Sequence, residues 1–156
     1  MIKLNPNDYK VLNDHALREY PEECCGVIIG DITDPSKNEV RPCNNIQREL
    51  KEKYPDEYLR DAKTGYFIDP KDLINAFNSA AKQKLEVIGF YHSHPNHEAY
   101  WSAEDHRAAM WAGGDEPSYP KAFHLVISVF DQEVKDMAVF AWDADEKKFN
   151  KIDLVS

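Results

Sequence analysis

The sequence predicts a mixed α/β sheet flanked by helices. Three observations carry that expectation. Amphipathic helical spacing alternates with short apolar runs in the first two thirds of the chain. The runs "CGVIIG", "LEVIGFY" and "FHLVISVF" have the length and β-branched content of buried strands. Two further strand-like segments, "DMAVFAWD" and "KKFNKIDLV", close the chain without an intervening helix.

The elements follow in order. Tyr9, Val11, Leu12, Ala16 and Leu17 recur at helical spacing, which predicts a helix over 7–19. Asn5 or Asn7 is its cap and Pro21 its stop. "CGVIIG" reads as a buried strand, with "NEVRPCNN" as its antiparallel neighbour across the turn "GDITDPSK". Residues 46–65 are highly charged with few apolar anchors, and read as a partly helical surface insertion. "YFID" reads as a short strand. A helix then opens with Asp69 as N-cap and Pro70 at its first position, where a missing N–H costs nothing. "LEVIGFYHSH" is the next buried strand. "SAEDHRAAMWA" reads as a helix with Ser102 and Asp105 in a capping-box arrangement.

At 156 residues the chain is expected to form a single domain over 1–156 with a substantial core. Eighteen aromatic residues mark a globular composition rather than a disordered one. The net charge of −9 repels phosphate backbones, so nucleic acid is not an expected partner. Cys24, Cys25 and Cys43 are an odd count without a C-x-x-C spacing, which suggests free thiols in a reducing compartment. "MIKLNPNDYK" has no apolar signal region, and no run approaches the ~20 residues of a membrane span. The expectation is a cytoplasmic protein with no membrane partner.

The chemistry centres on "YHSHP", residues 91–95. Residues i and i+2 of a strand share a face, so His92 and His94 can present both rings to one point. Imidazole pairs suit zinc, and a catalytic zinc takes three protein ligands with a position left open. Asp105, at the start of the following helix, is the available third ligand. Taken singly, Asp105 reads as a capping-box carboxylate before a ligand, and Ser102 as an N-cap before a catalytic group. His15, His97 and His106 lie among polar neighbours and read as solvated. His124 opens an apolar strand and reads as a satisfied core or edge histidine. An amidohydrolase barrel would need ~250 residues. A cupin, for which Glu98 lies at the right interval after His94, would be all-β.

His92, His94, Ser102 and Asp105 fit H-x-H-x7-S-x2-D, and Pro95 follows the second histidine. This pattern resembles the signature of JAMM (MPN+, JAB-domain) metalloproteases. "PEECCGVIIG" resembles that family's upstream P-x-E-x-C-G motif and assigns its glutamate to Glu23 rather than Glu22. The resemblance implies the JAMM fold, a curved mixed sheet between helices with a cytidine deaminase-like core. It implies one catalytic Zn²⁺ on His92, His94 and Asp105. It implies Glu23 as the proton-transferring group and Ser102 as a hydrogen-bond donor to the oxyanion. The stretch from "YFIDP" to "YHSHP" is similar to small bacterial members that hydrolyse cysteine or a short extension from a sulfur-carrier protein. The implied partner is a ubiquitin-like or sulfur-carrier protein with a Gly-Gly tail, cleaved after that tail. An isopeptidase that frees such a modifier from target proteins is the alternative. Trp101 departs from the proline that many relatives carry before the motif serine.

Overall fold

The computed structural model describes residues 1–112 and 114–155. Its principal element is a six-stranded sheet built from β2 (Cys25–Asp31), β3 (Asp34–Cys43), β4 (Glu86–Pro95), β5 (Phe123–Phe130), β6 (Glu133–Asp143) and β7 (Lys148–Ile152). The spatial order is β3-β2-β4-β5-β6-β7. Only β4 and β5 run parallel, and the other neighbours are antiparallel. The parallel pair needs a long crossover, and α4 (Ala103–Ala109) lies within it. The expected mixed sheet is therefore present.

Helices cover both faces. Helix α1 (Pro6–Glu19) places Leu12 and Ala16 on a core with Ile28, Tyr91, Leu125 and Ile127. Helix α3 (Pro70–Lys82) buries Ala76 and Ala80 against Val27, Ile29 and Phe90 on the opposite face. Strand alternation explains the division: Val27 and Ile29 face α3, while Ile28 faces α1. On β4 the same alternation sends Phe90, His92 and His94 to the α3 side, and Tyr91 and Ser93 to the α1 side.

Helix ends follow the local chemistry. Asn5 caps α1: its Oδ1 accepts from the Asp8 N–H at 2.9 Å, and Asp8 returns a carboxylate oxygen to the Asn5 N–H at 2.8 Å. Asp69 caps α3 by accepting from the Lys71 N–H, with Pro70 at the first position as expected. The short α2 (Gln47–Lys53) is the helical part of the 46–65 segment.

Several expectations are corrected. The turn after β2 is shorter than "GDITDPSK", because Asp31 accepts from both the N–H and the hydroxyl of Thr33 and lets β3 begin at Asp34. Pro35 and Pro42 are tolerated because β3 is an edge strand. "YFID" is not a strand. It contributes one bridge, Asn45 to Ile68, before Asp69 must turn to cap α3. Helix α4 stops at Ala109, since Met110 is extended and bridges Pro117. His15 is buried rather than solvated. It lies one turn from Leu12 on the inward face of α1, and its Nδ1 is 2.8 Å from the Tyr91 hydroxyl. A parallel pair of two-residue strands, β1 (Ile2–Lys3) and β8 (Leu154–Val155), joins the two ends of the chain. Nothing in the spacing foretold it.

Gly26, opposite Tyr91 in the β2–β4 register, shows how tightly this core is closed. A Cβ there would lie 2.5 Å from the Tyr91 ring. Gly26→Ala is expected to lower stability by about 1–3 kcal/mol through overpacking, read by urea unfolding. An unchanged midpoint would contradict this packing.

Candidate metal centre

The site forms at the C-terminal end of β4, where the sheet meets α4. The strand period brings His92 and His94 to the same side, as expected. Their Nε2 atoms are 3.1 Å apart. Asp105, in the first turn of α4, places Oδ1 at 3.0 Å from His92 Nε2 and Oδ2 at 3.1 Å from His94 Nε2. All three residues are buried. Tetrahedral bonds of ~2.0–2.1 Å imply ligand separations of roughly 3.3 Å, so the spacings among these two nitrogens and the carboxylate oxygens are close to those that a zinc-like ion requires.

Protonation suits the same use. The His94 Nδ1–H donates to the Glu98 carbonyl at 2.9 Å, which leaves Nε2 as the lone pair facing this cluster. Burial lowers the pKa of His92 and keeps its ring neutral. Burial opposes ionisation of Asp105, but the adjoining His92 and His94 outweigh it and hold the carboxyl well below its usual range. Two imidazole nitrogens and one carboxylate are the donor set a divalent cation takes. Glu98 gives only its backbone to the site, and its side chain is exposed. The cupin pattern is thus coincidental.

Ser102 and Asp105 serve the helix and the site together. Ser102 Oγ accepts from the Asp105 N–H at 3.0 Å, and the Ser102 N–H donates to Asp105 Oδ2 at 3.1 Å. This capping box fixes the carboxylate that faces the histidines. The Ser102 hydroxyl proton is not used in the cap. Ser102 lines a cavity of about 330 Å³ together with Glu23, Tyr66, His94, Tyr100 and Asp105.

The structure separates Glu23 from Glu22. Glu22 turns outward to a bidentate ion pair with Arg48 of α2. Glu23 is 6% exposed and lines the cavity. Burial, followed by repulsion from Asp105, pushes its carboxyl up to about 9. A divalent cation beside it would draw that value down. Its backbone is held from two directions: the Glu23 N–H donates to Ala62 O at 2.7 Å, and Asn45 Nδ2 donates to Glu23 O at 3.0 Å. The 46–65 segment is therefore a wall of the site as well as a surface insertion.

Sequence reasoning expects the loop "NHEAYWS" and the 46–65 insertion to wall a substrate channel, and residues of both line the cavity, but it does not single out the aromatic pair Tyr66 and Tyr100. The Tyr66 ring stacks on His92 at 4.6 Å, and Tyr100 meets His94 edge-on at 5.3 Å. No local pattern marks either residue, because each contact spans different elements. His97 is exposed, as expected. His106 is half-buried, edge-on to Phe149. His124 is buried in an aromatic cluster with Phe90, Trp101 and Phe149. Its Nδ1 has no partner among the described residues, contrary to the expected satisfied core histidine. Burial lowers its pKa to about 3. The three cysteines are free and buried. Burial raises the Cys24 thiol to about 12 and Cys25 well above its ordinary value, so neither offers a thiolate near neutral pH.

Fold and site together define a mixed α/β protein with a two-histidine, one-aspartate group suited to a metal ion. The chain belongs to the prokaryotic homologs of the JAB domain, a family matched over residues 7–145. It is similar to the desampylase of Haloferax volcanii, 28% identical over 98 residues that make up 63% of this chain and 62% of that protein. It is similar also to a probable TtuB-protein conjugate cleaving protease of Thermus thermophilus, 29% identical over 62% of this chain and 55% of that one. The match thus spans about three fifths of the length of these curated relatives. A solution structure of a Desulfitobacterium hafniense protein superposes with a TM-score of 0.73 at 24% identity, covering 100% of this chain and 93% of that one. One from Salinibacter ruber gives 0.65 at 27% identity, covering 99% and 90%. No helix among the described residues is long and apolar enough to cross a membrane.

Ser93, between the two histidines, faces away from the metal centre. Its Oγ accepts from the buried Cys24 N–H at 2.8 Å, and its N–H donates to Cys24 O. Ser93→Ala leaves that N–H without its acceptor. It is expected to cost about 1–3 kcal/mol, measured by chemical denaturation. A cost near zero would show that Ser93 does not anchor this junction.

Proposed function

We propose that this protein is a zinc-dependent metallopeptidase that cleaves after the C-terminal Gly-Gly of a ubiquitin-like or sulfur-carrier protein. The observation that carries the reading is one cluster of ligand atoms, in which the two Nε2 atoms are 3.1 Å apart and each lies 3.0–3.1 Å from a different Asp105 oxygen, opening on a cavity that Glu23 and Ser102 also line. Family membership and relatives named for acting on protein conjugates support the same class of reaction. Cytoplasmic location belongs to this reading.

His92, His94 and Asp105 are assigned as the metal ligands. When bound there, zinc supplies Lewis acidity and lowers the pKa of water from 15.7 toward ~7. Glu23 is assigned to take a proton from the attacking water and pass it to the leaving amine. Its seclusion from solvent suits that role, because a buried carboxyl binds a proton more readily than an exposed one. Ser102 is assigned to donate its free hydroxyl proton to the oxyanion that develops on the scissile carbonyl. Removal of one such donor typically costs ~10²–10³ in kcat. Tyr66 and Tyr100 would narrow the approach, so that a tail without Cβ atoms fits best. An extended tail could also gain backbone hydrogen bonds beside the sheet.

The names of the two curated relatives favour a second reading, in which the leaving group is the lysine of a target protein. The proposed chemistry at the Gly carbonyl is the same in both.

Glu23→Gln is expected to retain the metal and lose at least ~10²-fold in turnover, while Glu22→Gln stays active. Metal analysis and cleavage of a Gly-Gly-extended carrier read the two properties separately. Full turnover by Glu23→Gln would remove Glu23 from the reaction.

A further inference from the structure

Arg60 has no part in the chemistry described above, yet it lines the same cavity. It is the only Lys or Arg among the described residues that does so, beside the acids Glu23, Glu104 and Asp105. Its guanidinium is incompletely used. One Nη1 donates to the Thr64 carbonyl at 3.1 Å. Its Nε lies 3.6 Å from Glu104 Oε2, beyond a good hydrogen bond. Glu104 does not require it, because Arg107 pairs with both Glu104 oxygens through Nε and Nη2. A permanently charged fork therefore stands at a reaction cavity with donors to spare, and a carboxylate is the group that such a fork fits best.

The position of the bond being cut identifies which carboxylate. If a one-residue extension follows the Gly-Gly tail, its α-carboxylate carbon lies only about 2.5 Å from the scissile nitrogen. An anion that close to the bond meets the cavity's acids Glu23, Glu104 and Asp105, and the half-exposed Arg60 is the cation placed to offset their repulsion. A lysine side chain joined through its Nζ brings four methylenes there and no carboxylate, and would leave Arg60 facing nothing.

We infer that Arg60 binds the α-carboxylate of the leaving residue, so that the enzyme prefers a single-residue linear extension with a free C-terminus over an isopeptide. This rests on the Gly-Gly reading above and deepens it. In the hydrolysis, water adds its oxygen to the glycine carbonyl carbon and the C–N bond breaks. The leaving nitrogen receives a proton and departs as a free amino acid whose carboxylate Arg60 has held.

The test uses labelled peptides ending in Gly-Gly-Ala with a free acid, the same peptides ending in the carboxamide, and an isopeptide to lysine. The metal-loaded wild type is expected to favour acid over amide by roughly 10-fold to 100-fold in kcat/KM, mostly through KM. R60Q should bring the ratio near one, and R60K, which keeps the charge without the planar fork, should keep part of it. Calorimetric binding of acid and amide to the Glu23→Gln protein gives the same ratio without turnover, and thermal melts check that R60Q is folded. Equal handling of acid and amide by wild type, or a ratio that survives in R60Q, overturns the role of Arg60 while the Gly-Gly reading stands. Failure of wild type to cleave or bind any of the peptides overturns both.

Discussion

The arrangement depends on how the end of β4 is joined to the residues just before β2. Ser93 exchanges two hydrogen bonds with Cys24, one from each backbone N–H, on the face of the sheet away from the metal centre. That junction continues the register in which Cys25 lies opposite His92. It fixes Glu23, the neighbour of Cys24, relative to His92 and His94, the neighbours of Ser93. A strand alternates its side chains with period two, so one face can be given to packing while the other is given to chemistry. Slipping the register by one residue would exchange the two.

The remaining parts are added by chain segments outside this junction. Asp105 is a capping carboxylate, and capping determines where α4 begins. The 46–65 segment is tied to the Glu23 backbone through Ala62 and Asn45, and then delivers Tyr66 onto His92. A charged stretch with a weak internal core is thus stabilised by the site it encloses. Its charge has a local use as well, because Arg48 pairs with the outward-turned Glu22, and of the two adjacent glutamates it is Glu23 that faces the cavity.

What the sequence disclosed follows from the range of each interaction. His92 and His94 were legible because strand period is local, and Ser102 with Asp105 because a capping box spans four residues. The choice of Glu23 over Glu22 came from motif resemblance; in the structure Glu22 pairs with Arg48 and Glu23 lines the cavity. The loop of Tyr100 and the segment of Arg60 were legible as walls, but the individual contacts of Tyr66, Tyr100 and Arg60 were not, since no period or cap marks them. His15 was misread because Asn13 and Asp14 just before it and Arg18 and Glu19 just after are polar, whereas it shares the buried face of α1 with Leu12 and Ala16. The β1–β8 pair was invisible because two residues carry no period. The "YFID" strand failed because its residues are committed to bridging Asn45 and then capping α3.

The central claim is that His92, His94 and Asp105 form one metal site. The most direct measurement is metal analysis with X-ray absorption at the zinc edge on purified, zinc-reconstituted protein. The account predicts one tightly held zinc per chain, with two imidazole nitrogens and a carboxylate oxygen at ~2.0–2.2 Å, lost in His94→Ala. A zinc shell containing sulfur, or undiminished zinc in His94→Ala, would contradict it.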